Sequence, residues 1–123
     1  MKWVCGFKYF ALYFSAKALD GKTPPDAAGD PFAYIIPLDN VARVIYRGAD
    51  SHIHELTLPP GGGWSHLDLT AIAGGPNADG DPFAYIIPLD NVARVIYRAA
   101  DNFIHELTLP PGGGWSDRNL NLS

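Results

Sequence analysis

Cysteine is almost missing from this chain. The single one, Cys5, has no second thiol to pair with, so no intrachain disulfide holds the fold. Charge is sparse too. Only 18% of the 123 residues are charged, and the acidic ones prevail to leave a formal net charge of -4. That balance excludes the basic field expected of a nucleic-acid binder. No apolar run reaches the roughly 18 to 20 residues of a membrane-spanning helix. Two common catalytic signatures and a complete calcium loop are also absent. No glycine-rich loop is followed by a helix and a phosphate-gripping Lys. No Ser stands in a strand-turn-helix nucleophile elbow. "Asn77-Ala78-Asp79-Gly80-Asp81" has the look of a calcium-loop fragment but lacks the distal bidentate Glu, so it reads as a turn.

What the chain has instead is glycine, proline and repetition. It carries 13 Gly and 11 Pro, usual for a turn-rich β protein. "DPFAYIIPLDNVARVIYR" runs from Asp30 to Arg47 and returns unchanged from Asp81 to Arg98, a period of 51 residues. The match resumes in "HELTLPPGGGWS" at His54–Ser65 and His105–Ser116. Between Asp30 and Ser65 only Gly48/Ala99, Ser51/Asn102 and His52/Phe103 differ, all in one short stretch that reads as a turn. Long identical segments suit a repeat architecture, where each copy meets the same neighbours.

Each copy reads as four short strands. "FAYIIP" is apolar on both sides, which suggests a strand buried on both faces and ended by Pro37 or Pro88. "VARVIYR" and "HIHELTL" alternate with period two. "PPGGG" is a loop, and "WSHLDLTAI" is expected to be a fourth strand. Four antiparallel strands at this period predict an all-β chain of two β-propeller blades. The divisions are an N-terminal segment over 1–18, a first unit with its linker over 19–71 and a second over 72–123. Propellers have roughly 4 to 8 blades. Two blades leave apolar faces uncovered, so three or four chains are expected to close one ring. A truncated piece of a longer propeller is the competing reading.

The N-terminal "MKWVCGFKYFALYFSAKA" has a Lys near its start, an aromatic-rich apolar run and a small-residue Ala16-Lys17-Ala18. These are signal-peptide features, which would imply secretion, but Lys8 interrupts the run. Set against "WSHLDLTAI", the stretch from Tyr13 keeps length and puts Tyr13 where Trp64 sits. An outer strand that completes a sheet, in this chain or a neighbour, is the other reading.

The stretch "VIYRGADSHIHELTL…GGGWSHLDLTAIAGGP…GDPFAY" resembles the repeat of bacterial seven-bladed propeller lectins, the Photorhabdus-type fucose-binding family. The matching positions are Ile45–Gly48, Asp50, His52–Leu56, Trp64, Asp68–Thr70 and Gly80–Pro82. The second copy departs at Ala99, Phe103 and Asn119. The resemblance implies a non-catalytic, multivalent binder of fucose or a related monosaccharide, with sites in grooves between blades. It implies no cofactor.

The residues support a sugar reading on their own terms. An aromatic ring covers the C–H face of a pyranose, and Arg and Glu hold vicinal hydroxyls through paired hydrogen bonds. The candidates are Arg47, His54, Glu55 and Trp64, then Arg98, His105, Glu106 and Trp115. Each has a plainer reading. The two Trp can pack in a core, Arg47 and Glu55 can pair across strands, and the two His can be satisfied core residues. Tyr46 reads as core.

His52 and His54 share a strand face, as metal ligands can. The equivalent of His52 is Phe103, and His66, the only further His of that copy, is replaced by Asp117. No metal centre is therefore expected. A structural module without sugar affinity and a glycosidase-like propeller remain the other function classes; the second needs asymmetry between copies that the sequence barely offers.

Overall fold

The computed structural model describes Lys17–Ala18 and residues 23–122. The chain is all-β at its centre, with two antiparallel sheets of four strands, one per repeat. The first contains β2 (Phe32–Ile36), β3 (Val41–Arg47), β4 (Ile53–Leu58) and β5 (Ser65–Asp68). A short helix, α1 (Leu69–Ala73), leads toward the second sheet of β6 (Phe83–Ile87), β7 (Val92–Arg98), β8 (Ile104–Leu109) and β9 (Ser116–Asn119). A single 3-10 turn follows at Leu120–Leu122. Within each repeat, β2 to β5 and β6 to β9, the strands pair in chain order.

Local chemistry explains the turns. Pro37 and Pro88 stop the first strands, and Asn40 and Asn91 take left-handed backbone at the end of each "PLDN" turn. Asp39 Oδ1 accepts the Val41 N–H at 2.9 Å and fixes the start of β3. At the next hairpin Asp50 Oδ1 accepts the His52 N–H at 3.0 Å. Asp101 does the same for Phe103 at 2.9 Å. Ser51 and Asn102, two of the positions that differ between copies, hold positive φ there.

Two expectations are corrected. "FAYII" is not buried on both faces. It pairs on one side only, with β3 or β7, and its side chains alternate in exposure because it is an edge strand. "WSHLDLTAI" is not one strand. It stops at Asp68, whose Oδ1 accepts the Ala71 N–H at 3.0 Å and caps α1; Gly74 ends the helix with left-handed backbone. Lys17–Ala18 form β1, which adds parallel to β5 at Ser65 and His66 as a fifth strand of the first sheet. The rest of the signal-like segment lies outside the described residues.

The core lies between the two sheets. Strand alternation and register put Phe32, Tyr34, Ile36, Ile45, Ile53 and Leu67 on one face of the first sheet. This bulky face packs on the small-residue face of the second, where Ala84, Ala93, Val95 and Leu107 are buried together with Trp115. Phe32 meets Phe83 at the junction, with ring centres 4.2 Å apart. Polar ties seal the edge. The Ala78 N–H donates to Ser51 O at 2.7 Å, and Arg47 pairs with Asp81 at 3.2 Å. Gly29 leaves room for that pair: a Cβ there would lie 1.8 Å from Asp81 Oδ1 and would push the carboxylate aside.

Candidate functional site

The eight sugar candidates do not converge. Alternation puts the two Glu and two Arg on one sheet face and the two His on the other, and the two Trp stand just before β5 and β9. Glu55 lies on the bulky face of the first sheet and is 1% exposed. Tyr34 Oη donates to its Oε2 at 2.8 Å, and Arg43 Nε stands 3.8 Å away. Burial pushes the Glu55 carboxyl up to about 7, against the opposing pull of the Tyr34 hydrogen bond and the Arg43 charge. The Tyr34 phenol is driven far above its usual range by burial first and by the Glu55 charge second. Glu106 repeats the arrangement with Tyr85 at 3.2 Å.

Arg47 points elsewhere. It does not pair with Glu55 across the strands, as its plainer reading held; its guanidinium binds Asp81 and the Ala28 carbonyl, tying the first unit to the start of the second. Arg98 binds Asp79 Oδ2 at 2.6 Å on the surface. Trp115 is a core residue at 9% exposure, whereas Trp64, its repeat equivalent, is 45% exposed. The difference is one of position: a sheet lies against the small-residue face of the second unit, and among the described residues none lies against that of the first.

His54 and His105 are both buried beneath Tyr46 and Tyr97, whose hydroxyls donate to Pro25 O and Pro76 O at 2.8 Å. The two histidines have different partners. His105 is held between carboxylates, Nε2 on Asp101 at 2.8 Å and Nδ1 on Asp117 at 3.0 Å. Burial pulls its pKa down, but the bonds to Asp101 and Asp117 outweigh that and the net shift is upward. His54 has Asp50 on Nε2 at 3.0 Å and the His66 ring on Nδ1 at 2.7 Å.

A cleft opens where the two sheets meet. Its volume is about 240 Å3, and it is walled by Ile36, Leu38 and Asp39 of the first unit and by Asn91, Leu109 and the Pro110–Gly113 loop of the second. Apolar walls with a carboxylate and an amide at the rim suit a small polyhydroxylated ligand. Sequence reasoning missed these residues because the cleft is made by docking two units, although "PLDN" and "PPGGG" are visible as turns.

No protein-family model matches the chain, and no curated protein matches it. Among the described residues, no helix is long and apolar enough to cross a membrane.

Proposed function

We propose that the chain is a carbohydrate-binding protein that acts as a ring of several copies, each contributing two propeller blades. One observation carries the reading: the junction inside the chain leaves its two complementary halves open at the ends. Ile53 is fully buried against the second unit, while its equivalent Ile104 is 39% exposed. The bulky face of the second unit, with Phe83, Tyr85, Ile87 and Ile104, has the sequence of the face that packs inside the chain. The small-residue face of the first unit, with Ala42, Val44, Leu56 and Trp64, repeats the face it would receive. Head-to-tail docking repeats one interface, which closes as a ring or continues as a filament. A propeller twist favours closure.

Every such junction would form a copy of the cleft. In a lone chain one cleft is complete and two are halved. Leu89 and Asp90 stand at one end, and Asn40, Leu58 and the Pro59–Gly62 loop at the other. A closed ring then carries one equivalent site per junction. Shallow individual sites gain by avidity on densely displayed glycans. Fucose or a related monosaccharide is the ligand class that the repeat resemblance favours. Catalysis has no support in this arrangement.

The test joins a mass measurement to a glycan array. The expected result is a mass of three or four chains and selective glycan signals. Replacing Leu38 and Leu89 by Ala should lower those signals while the mass stays. Flat signals from an intact ring would favour the interaction-module reading. A well-folded single copy in dilute solution would remove the ring and the sites with it.

A further inference from the structure

We propose that Asp50, His52, His54 and Asp68 form a zinc site, present once per chain in the first unit only. One ligand atom from each of the four lies within 4.8 Å of the other three. His52 Nδ1 is 2.7 Å from Asp68 Oδ2 and 4.0 Å from Asp50 Oδ2. His54 Nε2 is 3.0 Å from Asp50 Oδ2. Tetrahedral zinc with N and O ligands places neighbouring donor atoms about 3.3 Å apart, so small side-chain shifts bring this set around one ion. Two imidazoles and two carboxylates select zinc over calcium or magnesium, which take oxygen ligands.

Three of the four ligands are already held from behind. The Asp50 carboxylate accepts the His52 N–H and the Asp68 carboxylate accepts the Ala71 N–H. His54 Nδ1 faces His66 Nε2, so a proton on Nδ1 leaves the Nε2 lone pair directed at the site.

The second unit is a natural negative control. It keeps Asp101 and His105 but has Phe103 for His52, Asp117 for His66 and Asn119 for Asp68. The three positions change together around one retained histidine. A bound ion would clasp the β3–β4 hairpin to the start of α1, which packs against β8 and β9. It would thereby stiffen the junction between the two sheets.

The experiment uses the full, untagged chain with Cys5→Ser, stripped with chelator and titrated calorimetrically with zinc chloride. One equivalent should bind. Cobalt should give the intense visible bands of tetrahedral coordination. The variants His52→Phe and Asp68→Asn copy residues that the second unit carries, and Asn preserves the helix cap. The double variant should lose at least about 100-fold in zinc affinity, and His66→Leu, which removes the acceptor behind His54 Nδ1, about 10- to 100-fold, in line with outer-shell losses elsewhere. A stoichiometry of zero or two, zinc affinity unchanged in the double variant, or a preference for calcium would overturn the assignment.

Discussion

Glu55 shows what a single position can do to the pH response. Its carboxyl is shifted from 4.5 to about 7 by burial, so the folded chain holds a proton that the unfolded chain has released across that interval. The stability it confers is complete below about pH 4.5 and is lost as the pH rises through 7. Asp39, Asp50 and Asp101 act in the opposite direction at lower pH, because their folded pKa values are lowered. Stability should therefore peak in mildly acidic solution. Replacing Glu55 by Gln keeps an acceptor for Tyr34 and removes the titration. The wild-type decline between pH 4.5 and 7, on the order of a few kcal/mol, should flatten in urea melts of the variant. An equal decline in both would assign it to other groups.

Among the elements, α1 is the one that alternation misjudged, and its role is specific. The Ile53 N–H opens β4 in a buried place, and Thr70 Oγ1 accepts it at 2.8 Å. The second unit has Asn at the same repeat position, and Asn121 Oδ1 accepts the Ile104 N–H at 2.7 Å. Two different side chains thus satisfy one obligatory donor. Thr70→Val keeps the shape and orphans the N–H. It should cost about 1–3 kcal/mol by chemical denaturation, and Thr70→Asn should recover most of that. If Thr70→Val matched the wild type, the bond would carry no stability.

For the whole molecule, the two isoleucines at equivalent positions separate folding from assembly. Ile53→Glu buries a charge between the sheets and should abolish the β signal in circular dichroism. Ile104→Glu places its charge on the open face, so the chain should keep its sheets and sediment as a single copy. Retention of a large mass by Ile104→Glu would place any contact between copies elsewhere. Unfolding of both variants would mean that the two-sheet unit cannot stand without its neighbours.

Strand positions were legible in the sequence because alternation, proline stops and "PPGGG" act on near neighbours in the chain. The four-stranded units and their order followed from these, and so did the buried place of Tyr46. The candidate site was less legible. Glu55, His54 and Trp64 were read as ligand groups by type, while Glu55 is held inside beside Tyr34 and Arg43, His54 lies between Tyr46 and His66, and Trp64 stays at an uncovered face. The cleft and the Asp50–Asp68 cluster needed residues that are far apart in sequence. Ile53 and Ile104 share the same following residues, yet one is sealed and the other is wet. Local propensity depends on the letters alone, whereas burial depends on which surface arrives from elsewhere in space.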